Sequence, residues 1–377
     1  MTALMQPETR PDTFPALDGL RGLAVMLVVL SHMGNQGMDL LPWPSFAGYG
    51  KAGVFLFFVL SAYLLTRQAL TDLAGESRVE PLRYWSSYLV RRAFRIFPLY
   101  WIVLTTALVG YFAGFEFVRR LSPENWLQHM LMLRGESIFW TIPVEFSYYL
   151  VIPVLATVCV ALARFNRWLP SAFTAACLVA AAIIWPEQAS KLNGIVLWPY
   201  LVIFLSGSLA ACVGVAMASA PKRAPPGQSA VRLLWWLVLI ALLLIVFATI
   251  PDAWRTITGS DITNRHFHRD YLFYGVFWTS ILFVIMQTGV GHAVFASPPA
   301  RFLGRTSFSI YLTHLPVLAL WSQVDLPATL VAAGALLTVA AFAWLTWRWI
   351  EVPGINLGKV ISKRILKREE IHARTFS

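Results

Sequence analysis

Charge is scarce in this sequence. Asp, Glu, Lys and Arg make up 13% of its 377 residues, against 58% hydrophobic residues. A soluble domain carries about 25% charged residues, so an ordinary soluble fold is excluded as the body of the chain. A mean hydropathy of +0.63 points the same way. Cysteine is nearly absent. Cys159, Cys177 and Cys212 each lie inside an apolar run, and no pair has metal-ligand spacing. That excludes a disulfide scaffold and a cysteine-based zinc site, and leaves packing as their role. There is no glycine-rich nucleotide loop, so neither a P-loop nor a dinucleotide fingerprint competes. No internal repeat is visible. No cleavable signal peptide is expected either, because the first apolar run is long and follows Asp18 and Arg21 without a small-residue cleavage site.

What is present is a succession of apolar runs of bilayer-crossing length, about 20 residues each. The pattern predicts an all-α, polytopic helical bundle of about ten transmembrane helices. The expected spans are 17–37, 50–68, 96–114, 138–160, 171–186, 195–217, 233–250, 271–290, 307–323 and 328–349. Pro/Gly-rich connections such as 220–227 and 297–301 separate some of them. With both termini in the cytoplasm, 22 of the 30 Lys and Arg residues fall inside and 8 outside. The reversed orientation would invert that bias, so the positive-inside rule favours cytoplasmic termini. The formal net charge of +11 is then explained by cytoplasmic loops and anionic lipid, with no nucleic acid as partner.

Ionisable groups inside such spans are costly, and each is a functional candidate. Arg21 and His32 are eleven residues apart in the first run, three helical turns plus about 20°, so they share a face with a rise of about 16 Å between them. Arg21 is expected at the cytoplasmic edge and His32 in the outer third of the membrane. Glu145 is expected roughly 10 Å from the outer end of the fourth span, close in depth to His32. A buried carboxylate needs a partner, and His32 or an arginine is the economical one. The alternative is a structural helix-to-helix hydrogen bond. His314, near Tyr311 in the ninth span, is expected in the cytoplasmic half, out of register with His32, serving either the donor side or a helix neighbour. Arg91, Arg92 and Arg95 share a helix face at the cytosolic end of the third span. They suit phosphate recognition, and positive-inside anchoring explains them equally well.

Several separated motifs occur in a fixed order: LDGLRGLAVMLVVLSH with Arg21 and His32, GVFLFFVLSAYLL, RRAFRIFPLYW, FWTIPVEFSYY with Glu145, FLGRTSFSIYLTH with Tyr311 and His314, and WIEVP at 349–353. Together these resemble acyltransferase family 3, the membrane O-acyltransferases of polysaccharide, O-antigen, peptidoglycan and antibiotic acylation. The resemblance runs from Phe14 to about Pro353. Ala62 departs from it, standing where Ser-Gly is common. No soluble esterase-like domain follows the last span, so the expectation is a stand-alone membrane module over 16–353, with a cytoplasmic segment over 1–15 and a basic cytoplasmic tail over 354–377.

The resemblance implies acetyl-CoA or another acyl-CoA as cytosolic donor, a carbohydrate-type hydroxyl as acceptor, and a bacterial inner membrane as location. No metal is expected. Donor phosphates would meet Arg91, Arg92, Arg95 and Arg21, with Asp18 as a further candidate. His32 would act as general base, oriented by Glu145, or would carry the acyl group in a relay. O-acetylation of a surface polysaccharide or O-antigen leads; succinylation of a periplasmic glucan and acylation of a lipo-oligosaccharide or macrolide follow. A secondary transporter is the rival class, weakened by the lack of inverted repeats. A homo-oligomer stays open.

Overall fold

The computed structural model describes residues 14–75, 80–115, 121–185, 193–218, 228–261 and 271–375. Every regular element among them is helical. Eight helices are long and apolar enough to cross a membrane, and two shorter apolar helices, Leu169–Ile184 and Ser307–Trp321, complete ten. All ten fall on the runs read from the sequence, because an apolar helix satisfies its own backbone and needs no partner strand. The chain is a polytopic membrane bundle. The basic connection at 220–227 lies outside the described residues.

The inner layer is formed by α1 (Pro15–Gly34), α2 (Gly50–Ala74) and α7 (Leu201–Ala218), which follows a short 3₁₀ turn at Trp198–Tyr200. α2 packs against both α1 and α7. A Cβ at Gly207 would lie 2.3 Å from the Val59 carbonyl oxygen, so glycine lets the α2 and α7 backbones touch. α3 (Pro81–Phe112), α5 (Thr141–Ala163), α6 (Leu169–Ile184) and α8 (Gln228–Ala248) surround this core, joined by short α4 (Pro123–Met130) and α9 (Pro251–Thr258). After α10 (Tyr271–Thr288) and one turn α11 (His292–Phe295), the eight-residue α12 (Pro298–Arg305) lies on the first turns of α1. A Cβ at Gly304 would sit 1.7 Å from the Asp18 carbonyl oxygen. α13 (Ser307–Trp321) starts directly from that contact and so enters the bundle beside α1.

Two elements differ from the sequence reading. α3 has 32 residues rather than a span's worth, about 48 Å of helix, so Arg91, Arg92 and Arg95 lie within it and not before it. The last helix does not stop at the expected 349. α14 (Ala328–Thr346) passes through a π turn at Trp347–Glu351 into α15 (Val352–Thr375), which packs along α3. Pro353 follows the π turn directly, inside this continuous helix, and its missing N–H removes one helical hydrogen bond there.

Candidate active site

The sequence-derived residues converge on a cleft of about 570 Å³ between α1, α2, α3, α5 and α13. Arg21, Ser61, Arg95, Glu145, Tyr149 and Tyr311 all face it. Glu145 is held by hydroxyls: Ser61 Oγ and Tyr149 OH each donate to its Oε1 at 2.6 Å. Arg21 and Arg95 face the same space without closing an ion pair on Glu145 among the described residues. A second carboxylate lies behind them. Glu351 is buried, accepts from Ser309 Oγ at 2.9 Å on Oε2, and stands within electrostatic reach of Arg95 and Arg21. Two cations and two anions thus share one site, which limits the cost of taking each out of water.

The three α3 arginines have different surroundings, contrary to a single phosphate fork. Arg91 Nη1 donates to Ser87 Oγ at 2.6 Å and to Ser362 Oγ at 2.8 Å, tying α3 to α15. Arg92 lies 5.9 Å over the Tyr88 ring, and its Nε is buried without a protein partner among the described residues. Arg95 alone of the three lines the cleft. The divergence follows from the neighbours: helix spacing puts the three on one face, but α15 covers part of that face. Asp18 is outside the cleft. Its Oδ2 lies 3.6 Å from Arg305 Nε, a loose pair at the first turn of α1.

His32 and Glu145 do not pair. The His32 ring instead lies 5.1 Å, centroid to centroid, from that of His314. The expected separation in depth between these two histidines is therefore overturned. Counting turns from the inner end of the ninth span assumed that this span starts level with the first. In fact α12 turns into α13 after Gly304 has already packed on Asp18, so α13 starts inside the bundle and lifts His314 towards His32. Tyr311 links the two levels: it lines the cleft, and its ring is 6.1 Å from that of His314. Its hydroxyl donates to the Ile138 carbonyl at 2.7 Å and accepts from Thr141 at 2.9 Å, which fixes it to the start of α5.

The hydrogen bonds of His314 define its tautomer. Nδ1 lies 2.8 Å from the Tyr311 carbonyl and 3.2 Å from that of Ile310. Carbonyls only accept, so Nδ1 carries the hydrogen and Nε2 the lone pair. That Nε2 is buried with no protein partner among the described residues. His314 is fully buried and His32 half-buried, so the pair has one member able to meet a ligand.

A family comparison fits this arrangement. The acyltransferase domain, family 3, matches residues 14–348, most of the chain. The chain belongs to acyltransferase family 3. Peptidoglycan O-acetyltransferase OatA of Listeria monocytogenes is 24% identical over 385 residues, covering 90% of this chain and 55% of that protein. O-acetyltransferase OatA of Staphylococcus aureus is 23% identical over 396 residues, covering 97% of this chain and 61% of its own length. The chain thus spans somewhat over half the length of these relatives. No solved structure is significantly similar.

Sequence reasoning passed over Ser61, Tyr149 and Glu351 as site residues. Tyr149 was visible one turn after Glu145, the spacing that puts two side chains on one helix face. Glu351 fell two residues beyond the expected end of the last span, where a carboxylate would meet water and need no explanation. The π turn carries it back into the bundle instead. Among the described residues, no group of three or more His, Cys, Asp or Glu side chains converges to hold a metal ion.

Proposed function

We propose that this chain is a membrane O-acyltransferase that moves an acetyl group from cytosolic acetyl-CoA to a hydroxyl of a cell-envelope glycan, in the cytoplasmic membrane of a bacterium. The observation that carries the reading is a continuous line of groups. Arg21, Arg95, Glu145 and Tyr311 share one cleft, Tyr311 neighbours His314, and His314 neighbours His32. The family and the O-acetyltransferase activity of its relatives support the acyl chemistry. They favour peptidoglycan as the first acceptor to test, ahead of O-antigen or another surface polysaccharide.

In this reading Arg21, Arg92 and Arg95 attract the anionic donor to the α3 side of the cleft. His32 takes the proton from the acceptor hydroxyl. The hydroxyl oxygen attacks the thioester carbonyl, the new C–O bond forms, the C–S bond breaks, and the coenzyme thiolate leaves to be protonated. His314 Nε2 accepts a hydrogen bond from His32 once His32 is charged, which stabilises the imidazolium in a buried place. Glu145, fixed by Ser61 and Tyr149, keeps negative charge opposite the arginines and so offsets the mutual repulsion of Arg21 and Arg95 in the cleft. The catalytic module is residues 16–353, with both ends of the described chain on the cytosolic side.

The test is product formation in proteoliposomes carrying the protein, with isotopically labelled acetyl-CoA outside and glycan strands from peptidoglycan, or O-antigen fragments, inside. Base-labile labelled acetyl esters on an enclosed glycan support the reading. Acetyl esters formed only on glycan mixed in on the donor side would overturn the transmembrane part of it, and none on any glycan would overturn the acceptor class.

A further inference from the structure

A second pocket, of about 510 Å³, opens beside the first turns of α1, where α12 meets the end of α14. Its polar lining is chiefly two guanidinium groups. Arg301 and Arg305 are one turn apart on α12 and so share a face. Arg301 Nε is buried and has no protein partner among the described residues. Among the described residues Arg305 has one ion-pair contact, 3.6 Å to Asp18, and it keeps half its side chain exposed. The neighbouring hydroxyl is spent: Thr306 Oγ1 donates to the Phe302 carbonyl at 2.8 Å. The remaining walls are aromatic, from Phe302, Trp344 and Trp347.

A buried guanidinium nitrogen with nothing to bond calls for an acceptor, and two guanidiniums one turn apart match a phosphate group. The aromatic walls say where that phosphate comes from. Trp344 lies on the outward side of α14, together with the exposed Leu337 and Leu345 and opposite the buried Ala335, Val339 and Ala343, the surface that faces hydrocarbon in a spanning helix. Indoles gather at the depth of lipid headgroups. A water-soluble anion would have to lie against that apolar wall, whereas a phospholipid puts its phosphate on the arginines and its chains on the wall.

We propose that this pocket binds the phosphate of one anionic phospholipid headgroup at the membrane edge where α1 begins. The site is separate from the catalytic cleft, and its occupancy does not depend on the acyl-transfer reading. Basic pockets between spanning helices hold such headgroups elsewhere by the same physics. Binding then weakens with salt and is selective for anionic over zwitterionic lipid.

The experiment is native mass spectrometry of the full chain in a neutral detergent, titrated with phosphatidylglycerol or phosphatidylcholine. Parallel samples receive inorganic phosphate or adenosine 3′,5′-bisphosphate as soluble phosphate sources. Wild type should retain one phosphatidylglycerol at concentrations where phosphatidylcholine washes off. The Arg301→Gln, Arg305→Gln double variant should need roughly tenfold more lipid for the same occupancy. Trp344→Ala, which leaves the charges intact, should also weaken retention. Equal phosphatidylglycerol retention by wild type and a monodisperse double variant would overturn the proposal. So would arginine-dependent binding of a soluble phosphate that phosphatidylglycerol does not displace. If the double variant fails to fold, unchanged lipid retention by Trp344→Ala and by Arg305→Gln alone would overturn it equally.

Discussion

Glu145 shows how a single charge can be kept inside an apolar bundle. Its Oε1 takes both the Ser61 and the Tyr149 hydroxyl, leaving Oε2 without a protein hydrogen bond among the described residues. Hydrogen bonds to a charged group contribute about 1.5–3 kcal/mol each, so losing one should shift the carboxylate without freeing it. Tyr149→Phe is therefore expected to lower turnover by roughly tenfold, since about 1.4 kcal/mol is tenfold in rate. Glu145→Ala should cost far more, because it leaves Arg21 and Arg95 facing each other. Steady-state kinetics of the two variants would check the order; a Glu145→Ala variant with wild-type turnover would remove Glu145 from the site. At this scale the sequence was partly legible. Arg21 and Glu145 stood out because charge in an apolar run is rare. The contact between His32 and His314 did not, because turn counting fixes height within a helix and not where that helix begins.

Elements carry the next layer of the argument. α12 lies on α1 only because Gly304 has no side chain; a methyl group there would overlap the Asp18 carbonyl. Gly304→Ala should therefore displace α12 and the start of α13, with loss of folded protein, read as a lower thermal transition in detergent. Arg91 is an element-scale residue too. Arg91→Ala should loosen α15 from α3, and hydrogen exchange across 352–366 should rise. Unchanged exchange would deny Arg91 its tethering role.

Between α3 and α5, α4 carries a titratable group outside the spans. His129 is buried against Phe139, with neither ring nitrogen partnered among the described residues. Burial holds its pKa below the ordinary value of 6.5; Arg134 adds to this and Glu136 opposes it. The unfolded chain then takes up a proton that the folded chain refuses, so stability present above about pH 6.5 is lost as the pH falls below it. Wild type should show a larger drop in thermal transition from pH 7 to 5 than His129→Phe. Equal drops would place the effect elsewhere. Element existence was legible because runs of apolar residues near 20 have one solution in a bilayer. The lengths of α3 and α15 were not, since polar residues on a helix that leaves the membrane look like a loop.

For the whole molecule, the positive-inside bias of the sequence proposes a direction, with both ends of the described chain in the cytoplasm. Orientation is checked by single cysteines in a background lacking Cys159, Cys177 and Cys212. Cysteines replacing Asp72 and Lys363 should label from the cytosol, and one replacing Asp261 from outside. The opposite pattern would invert the donor and acceptor sides proposed above. What no sequence pattern specifies is the proposed path from the arginine cleft through Tyr311 and His314 to His32, because its side chains come from helices far apart in the chain that meet only in the folded bundle.

The central claim is that His32, at the end of that path, removes the acceptor proton. The direct measurement is coenzyme A release from acetyl-CoA by purified protein in nanodiscs with a glycan acceptor, comparing wild type with His32→Ala. General-base catalysis contributes about 10²–10⁴-fold, so the account predicts a loss in that range with acetyl-CoA still bound. Full turnover by a correctly folded His32→Ala variant would contradict it.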